Sequence, residues 1–490
     1  MSTEMQRIIE IIESGAKSAM SLEEIIKQEI QEWLLSDKRR WMLIGQRYYR
    51  GETDILDRKR EMIGEGGQTQ EDPNLANNKL VNNFVRKLVD QKVGYLLGLP
   101  MSIQTDKKEY ADHLNQIFNR SFLRLLKSLG KEAIKKGIAW LHPYYDEEGS
   151  LRFAKIPSEE ALPLWKDAAH TELDAFIRVY DIVAYEGTMK KTITKVEYWD
   201  TGGVRRYVLD EGGIIPDVEA GELGSHFVMT VGDKEIPMNW EKVPFIPFKY
   251  NEEEMPLVQQ IKSLVDDYDA RKSDNANNLE DLPNSIYVIR NFDGQDLGEF
   301  RRNLSVYRAV KVRDDGGLDT KSIEIDVDAY KTHMEMNRKD IFEFGRGVDT
   351  QMKDFNTAPS GVALKFLYAD LDMDANDIET EFQASLEQLL WFINTHLYNT
   401  TGEDFLNETV DFIFNRDIII NETEVIENAQ KSKGIISDET IIANHTWVTD
   451  VEEELERIEK ERQQDMERFL DYQGLGGGVD PVDPDDGDDE

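Results

Sequence analysis

Four carboxylates come nearest, by type and spacing, to a metal site. Asp370, Asp372, Asp374 and Glu381 match positions 1, 3, 5 and 12 of a calcium-binding loop. The three aspartates could also serve a metal-dependent nuclease or phosphoryl-transfer enzyme. The glycine required at position 6 is Ala375, however, and a helical apolar stripe runs through the segment. The spacing therefore favours solvated acids on a helix face, and the metal-dependent enzyme is kept as the alternative function.

Other signatures of catalysis are missing from the sequence. It contains no G-x-x-x-x-G-K-[ST] phosphate loop, no G-x-S-x-G, no H-E-x-x-H and no cysteine. The seven histidines are scattered along the chain. We therefore expect no catalytic residue, no metal and no cofactor, and predict that the protein is not an enzyme.

Lys353 is distinctive because it is the only basic residue between Gly347 and Ser360. The segment around it has little periodicity, which predicts a loop between two helices. A single lysine in a loop usually has no special role, so its meaning depends on where the loop points.

The charge of the chain restricts its partners. With 97 acidic and 58 basic residues the formal net charge is −39, whereas 40% hydrophobic residues are typical of a folded protein. Such an acidic surface repels nucleic acid and anionic membranes. The charge is also unevenly distributed, since 77–140 carries twelve bases against five acids, and 371–387 carries six acids and no base. No apolar run approaches the ~20 residues that cross a bilayer, so no membrane association is expected.

The first half of the chain predicts an α+β region. Apolar spacing indicates helices over 77–98 and 118–136. Alternating runs then indicate strands between 140 and 250, among them two hairpins and an edge strand at 243–250 that contains two prolines.

The second half is mostly helical. Helices over 255–278 and 329–344 enclose an insert, 282–327, in which strands are predicted at 286–289, 309–312 and 323–327 and a helix at 296–307. The end of the first helix, SDNANN, is polar on every side, so we expect it to face water or neighbouring subunits. An unbroken apolar stripe predicts a helix over 360–398, on the order of 60 Å long. Short helices and an acidic, disordered tail from 473 complete the chain.

Three segments together resemble a known family. They are NNKLVNNFVRKLVDQKVGYLLGLP at 77–100, VPFIPFKYNEE at 243–253 and GIISDETIIANHTWVTDVEEELERI at 434–458. In sequence and order they resemble portal proteins of tailed bacteriophages, of the siphovirus type that infects Gram-positive bacteria. The resemblance implies a ring of twelve subunits at one capsid vertex, assembled in the bacterial cytoplasm, through which DNA is packaged and ejected.

The resemblance also implies a division of the chain into the parts of a mainly helical α+β portal fold. These parts are a wing (1–254 and 360–420), two stem helices (255–280 and 328–346), a clip (281–327), a tunnel loop (347–359), a helical crown (421–472) and the acidic tail (473–490).

The resemblance further implies partners and candidate sites. Through the clip, where Glu299, Arg301 and Arg302 are the candidate contacts, a portal binds the terminase large subunit and later the head-completion (adaptor) proteins. Major capsid and scaffolding proteins surround the ring. The candidate channel residues are Gln351, Lys353, Asn356 and Thr357.

Electrostatics fits this interpretation. Each DNA phosphate that a protein neutralises adds affinity through counterion release, so a basic channel would grip the duplex and an acidic one would let it slide. A lysine such as Lys353 could then contact phosphates transiently. The basic 77–140 segment and the acidic long helix are expected to meet between subunits, with Asp377 and Glu381 at that interface.

Overall fold

The fold was determined as a computed structural model. The structure describes residues 21–63, 68–71, 75–186, 188–210, 213–231, 234–280, 285–290, 298, 315–322, 327–351, 361–416, 422–443, 445, 447–448 and 451–474. The chain divides into two compact units, one of Met1–Thr350 with Tyr368–Asp417 and the other of Gln351–Leu367 with Ile418–Glu490.

Helices and strands alternate along the described chain. The helices are α1 (Leu22–Leu35), α2 (Asp37–Tyr49), α3 (Phe84–Leu97), α4 (Lys108–Ile117), α5 (Arg120–Lys136), α6 (Leu257–Glu280), α7 (Val327–Phe344), α8 (Gly361–Thr401), α9 (Glu422–Ser432), α10 (Asp438–Ala443) and α11 (Val451–Gly474). The strands are β1 (Glu61–Ile63), β2 (Thr69–Glu71), β3 (Ser102–Gln104), β4 (Ile138–Tyr145), β5 (Leu151–Ile156), β6 (Ala161–Trp165), β7 (Leu173–Glu186), β8 (Met189–Asp200), β9 (Gly203–Asp210), β10 (Gly213–Pro216), β11 (Leu223–Gly224), β12 (Phe227–Val231), β13 (Lys234–Met238), β14 (Ile246–Lys249), β15 (Ser285–Arg290), β16 (Gly317–Ser322) and β17 (Asp411–Ile413).

Two antiparallel sheets are the largest in the described part of the first unit, which also contains the two-stranded pairs β1–β2, β12–β13, β15–β16 and β3–β17. Strands β10, β9, β8, β7 and β6 lie in that order, with β11 also on β9, and a second sheet has the order β14, β4, β5. The predicted hairpins and the edge strand at 243–250 are confirmed, because β4 pairs with β5, β8 with β9, and β14 lies at a sheet edge. The sequence analysis missed β6 and the long strand β7. Stacked aromatic rings of Phe176 and Phe245, 3.8 Å apart, join the two sheets in one core.

The long helix predicted over 360–398 is confirmed as α8, which has 41 residues. Its apolar stripe lies against the rest of the unit, and these residues are buried: Leu371, Ala375, Ile378, Phe382, Leu386, Leu389, Ile393 and Leu397. At 1.5 Å per residue the helix is about 60 Å long.

The helix predicted over 77–98 begins only at Phe84, with Asn83 as its N-cap. The preceding residues lie alongside α6 without forming a helix. Their backbone N–H groups at Asn78, Leu80 and Asn82 donate to side chains of α6. These tertiary hydrogen bonds replace the intrahelical bonds that the local pattern predicts, because each buried N–H group needs one acceptor.

The prediction that the polar end of α6 faces water or neighbouring subunits was wrong for one face of the helix, for the same reason. Asp269, Ser273 and Asn277 are spaced four residues apart, form one face of α6 and are fully buried in the chain. They accept the three N–H groups of the 78–82 segment at 2.6–2.9 Å. The oxygen atoms of this polar helix face therefore bind the chain's own backbone instead of water or a neighbouring subunit, whereas the buried side-chain nitrogen of Asn277 has no hydrogen-bond partner among the described residues.

The insert between α6 and α7 is a two-stranded antiparallel ribbon in its described part. Ser285 pairs with Ser322 and Arg290 with Gly317. Of the strand predicted at 323–327, only Val327 lies within the described residues, and it begins α7. The described partner of the first strand is Gly317–Ser322, which the sequence pattern did not predict. The predicted strand 309–312 and almost all of the predicted helix 296–307 lie outside the described residues.

The second unit contains the predicted short helices. Gly434, with φ of +84°, follows α9 as expected of a helix-terminating glycine, and the Ser437 hydroxyl accepts the Thr440 N–H at the start of α10. The tail beyond residue 474 lies outside the described residues. Within the described residues, none of the helices has the length and apolar character needed to cross a membrane.

Candidate functional site

Helix α3 holds the chain where it leaves α7 and enters the segment predicted as a loop. Gln91 pairs with the backbone of Val348 through two hydrogen bonds, each 2.9 Å long. One face of the turn at 345–347 lies directly on Leu88: a Cβ atom placed on Gly345 or Gly347 would come within 2.7 Å or 2.2 Å of its side chain. Both positions therefore need glycine, because any larger residue would push the turn away from α3.

The same helix holds the chain where it continues along α8. Tyr95 donates to Asp372 at 2.7 Å and its ring stacks on Tyr368, with ring centroids 5.9 Å apart. The Lys92 ammonium group forms an ion pair with Asp374, Nζ to Oδ2, at 2.7 Å. Both ends of the region 351–367 are thus fixed by three residues of α3.

Lys92 is the centre of this arrangement. Its side chain is 0% exposed, and Nζ also donates to the Arg346 carbonyl at 3.0 Å. Burial lowers the pKa of Lys92, and the Asp374 carboxylate opposes that change. Asp374 in turn accepts the Tyr250 hydroxyl at 2.9 Å, and burial together with this carboxylate raises the pKa of Tyr250 far above its usual range. The cluster is therefore a satisfied, charge-balanced network.

The turn at Arg346 is strained, and neighbouring side chains support it. Arg346 has φ of +46°, in the left-handed region that costs a residue with a side chain about 1 kcal/mol. Its guanidinium group donates to Asp377 at 2.9 Å. Three residues after Arg346, Asp349 accepts a bidentate pair of hydrogen bonds from Arg338 at 2.6 and 2.8 Å. These contacts fix both the backbone and the direction of the chain as it leaves α7.

The three aspartates considered for metal-dependent chemistry do not converge on one point. Asp370 is exposed, Asp372 binds Tyr95 and Arg416, and Asp374 binds Lys92 and Tyr250. The expectation that all of them are solvated was wrong for Asp374, because it is buried with a lysine. Among the described residues no group of three or more histidines or acids has the arrangement of a metal site.

Of the predicted channel and clip residues, the structure describes one. Gln351 is exposed in a turn just after Val348. Lys353, Asn356, Thr357, Glu299, Arg301 and Arg302 lie outside the described residues.

Asp377 and Glu381 border an open acidic cleft of about 280 Å³ together with Asn251, Glu252, Glu253 and Thr380. Burial and the neighbouring glutamates raise the pKa of Glu381. The basic and acidic regions of the sequence already meet inside one chain, where Lys92 pairs with Asp374.

Sequence reasoning missed the role of α3. At helical spacing Lys92 falls on the apolar face that includes Val89 and Val93, and a lysine on such a face is a signal that could have been used. The second signal is the sequence Gly345-Arg346-Gly347, in which two glycines one residue apart indicate a close backbone approach.

Comparison with known proteins agrees on one group. The family profile described as "Phage portal protein, SPP1 Gp6-like" matches residues 37–468. The portal protein of Bacillus phage SPP1 is 33% identical over 452 residues, which cover 91% of this chain and 88% of the relative. The portal protein of Clostridium phage phiCD119 is 32% identical over 434 residues, covering 85% of this chain and 91% of the relative.

These matches define a class, the portal proteins of phages whose hosts are Gram-positive bacteria. The chain belongs to the SPP1 Gp6-like family of phage portal proteins. The family resemblance read from three segments of the sequence is confirmed. Portal proteins are structural, virion-associated proteins, and the mixture of helices and sheets in this chain fits the family.

Proposed function

We propose that twelve copies of this chain close into a ring at one vertex of the capsid and form the channel through which double-stranded DNA is packaged and later ejected. The observation that carries the proposal is the family match over 37–468, with two relatives that are both named portal proteins. Assembly in the host cytoplasm and contacts with major capsid and scaffolding proteins are part of the same proposal.

Within the ring, α6 and α7 are the stem and the β15–β16 ribbon belongs to the clip. The two helices are linked by Asp267 of α6, which accepts hydrogen bonds from His333 at 2.8 Å and Asn337 at 2.9 Å of α7. The wing comprises 1–254 and 360–420, the tunnel loop 347–359 and the crown 421–472. This division is part of the proposal and assigns DNA-facing, partner-binding and peripheral roles to different segments of the chain.

Exposed apolar residues on the two stem helices support a closed ring in which neighbouring subunits cover them. Four apolar side chains of α6 and α7 are between 54% and 75% exposed in the single chain: Leu279, Val327, Met336 and Phe344. Burying the exposed part of each such side chain between subunits contributes about 1–2 kcal/mol. A closed ring provides that burial for every copy, whereas a single chain leaves the surface in water.

The acidic character of the chain supports passage of DNA. A net charge of −39 per copy prevents the counterion release that would make the wall grip phosphates. Screening within about 8 Å keeps the repulsion short-ranged, so the duplex is centred without being excluded. Lys353, with Gln351, Asn356 and Thr357, is proposed to make transient contacts with phosphates.

The Lys353→Ala variant tests the channel loop. We expect rings to form normally and the amount of DNA retained in filled capsids to fall, because the basic contact is lost. Lys339→Ala, which removes an exposed lysine of α7, is the matched control. Unchanged packaging and retention in Lys353→Ala would refute the role of this lysine.

The acidic cleft is proposed as a subunit contact. Asp377 and Glu381 would receive basic residues of the 77–140 segment from the next copy. Burial, and then the neighbouring glutamates, raise the pKa of Glu381 although Lys249 opposes them, so a further cation would favour its charged form. Glu381→Lys isolates the effect, since Asp377 also pairs with Arg346.

We expect Glu381→Lys to reduce ring assembly and a Asp377→Lys/Glu381→Lys double variant to reduce it further. Charge reversal of Glu147 and Glu148, two exposed acids in the β4–β5 turn, is the control. Normal rings from the double variant would remove Asp377 and Glu381 from the interface.

The clip is proposed to bind the terminase large subunit and the head-completion proteins through Glu299, Arg301 and Arg302. Charge reversal at these three residues should abolish binding to both partners in a pull-down with purified rings. Binding at the level of the unchanged ring would place the contact elsewhere.

A further inference from the structure

Lys92 joins two parts of the chain that are separated by the whole 351–367 region. One ammonium group donates to the Arg346 carbonyl, before that region, and to the Asp374 carboxylate, after it. A lysine has three donors, so one buried charge can serve two chain segments at once.

Stability alone does not explain a lysine at this position. Its neighbours in α3, Leu88, Val89 and Val93, are buried apolar residues, and a methionine would fill a similar volume. Replacing a buried ion pair by apolar side chains is often neutral or stabilising, because desolvation of both charges opposes their attraction. What a buried ion pair adds is directional: Nζ fixes the position of the Arg346 carbonyl relative to α8.

Two further residues of α3 act on the same two ends. Gln91, beside Lys92, binds the Val348 backbone, and Tyr95, one turn further on, binds Asp372. Because these side chains come from successive turns of one helix, a displacement of α8 along α3 would break contacts on both sides together.

We propose that Lys92 is a positioning residue, which sets the separation of the two ends of the 351–367 region by binding the Arg346 carbonyl and the Asp374 carboxylate simultaneously. Gln91 and Tyr95 assist it. Its importance for DNA rests on the proposed role of 347–359 as the tunnel loop, since fixed ends in every copy would give the channel a uniform constriction.

The absence of cysteine from the chain makes a direct test possible. Nitroxide spin labels are attached to Thr350→Cys and Asp370→Cys. Both positions are exposed, and each lies between the 351–367 region and an anchored residue, Val348 on one side and Asp372 on the other. The labelled chain is mixed with an excess of unlabelled chain, and the distance between the two labels is measured by pulsed electron paramagnetic resonance. The unchanged Lys92 background should give one narrow distance distribution.

Two variants then remove the anchor in different ways. Lys92→Met leaves Asp374 without its ammonium partner. Lys92→Met/Asp374→Leu removes both charges, so no charge stays buried without a partner, and only the Tyr250 hydroxyl and the Arg346 carbonyl lose a hydrogen bond. The double variant is therefore expected to fold even where the single variant does not. In each folded variant the distribution of distances between the two labels should broaden, because the two ends open locally more often once the anchor is lost. Lys195→Met, which removes the partner of buried Asp217 in the sheet, is the matched control and should leave it narrow.

Each result decides. Broadening in the Lys92 variants alone supports the proposal, and a narrow distribution in the folded double variant overturns it. Equal broadening in Lys195→Met also overturns it, because the effect would then be general loosening. DNA packaging by unlabelled rings distinguishes the Lys92 anchor from the proposed role of the tunnel loop. Broadened distances together with normal packaging would support the anchor and refute the role of the tunnel loop.

Discussion

The buried carboxylate of Asp269 gives the sharpest test of how α6 is held. It accepts three hydrogen bonds, from the Asn82 backbone N–H at 2.8 Å, the Asn82 side-chain amide at 2.9 Å and the Thr53 hydroxyl at 2.9 Å. Asp269→Ala leaves these donors without an acceptor in a site that water does not reach.

The expected cost follows from this geometry. Hydrogen bonds to a charged group contribute about 1.5–3 kcal/mol each, but removing the carboxylate also removes the cost of burying it, which is seen in its raised pKa. We expect a net loss of about 3–5 kcal/mol in the free energy that holds the 78–82 segment on α6. At 1.4 kcal/mol per tenfold change, exchange of its protected amide hydrogens should accelerate on the order of 10³-fold.

Hydrogen–deuterium exchange of the peptide that contains Leu80 and Asn82 measures this effect. Ser273→Ala, which removes only the acceptor of the Leu80 N–H, should give a smaller acceleration. Asp267→Ala is the control, because Asp267 lies on the same helix but binds His333 and Asn337 of α7. Unchanged exchange in Asp269→Ala, or the same acceleration in Asp267→Ala, would refute the assignment.

Two further predictions concern acid stability and packing. Burial alone would raise the pKa of Glu132, but three neighbouring lysines outweigh burial and lower that pKa to about 2. Burial would also raise the pKa of Glu254, but hydrogen bonds and charge from His170 and Lys38 lower it to about 2. Because both folded-state pKa values lie below the usual 4.5, each carboxylate contributes about 3 kcal/mol of stability above pH 4.5, which is lost as the pH falls towards 2. In acid unfolding followed by tryptophan fluorescence, Glu132→Gln should flatten the loss over this range, and an unchanged slope would contradict the assignment. Gly347→Ala should destabilise the protein by about 1–3 kcal/mol in thermal unfolding, since its Cβ would collide with Leu88. Gly94→Ala is the control and should be neutral or slightly stabilising, because the space around Gly94 is open. Equal effects of the two substitutions would contradict the close approach of Gly347 to Leu88.

Long, regular patterns were predicted well from sequence. The stripe of α8 states which face is buried, and the structure buries that face. The alternating runs located β4, β5, β8 and β9, but they did not predict the burial of β4, whose first four residues are all buried. Local signals sufficed for these elements because the spacing of apolar residues follows the helix or strand period, whichever part of the protein covers them.

Features that depend on distant partners were not predicted. The 78–82 segment has helical apolar spacing but lies extended, because Asp269, Ser273 and Asn277 offer acceptors that are nearly 200 residues away in sequence. The Lys92 anchor likewise requires Arg346 and Asp374, more than 250 residues further on. No local pattern contains such pairings, although a lysine within an apolar stripe indicates that one exists.

The central claim is that identical copies of this chain enclose a channel. Electron microscopy of the purified protein, combined with its mass from light scattering, tests it most directly. The account predicts closed rings with an axial hole and a mass about twelve times the 56.6 kDa of one chain. Compact particles with the mass of one or two chains would contradict it.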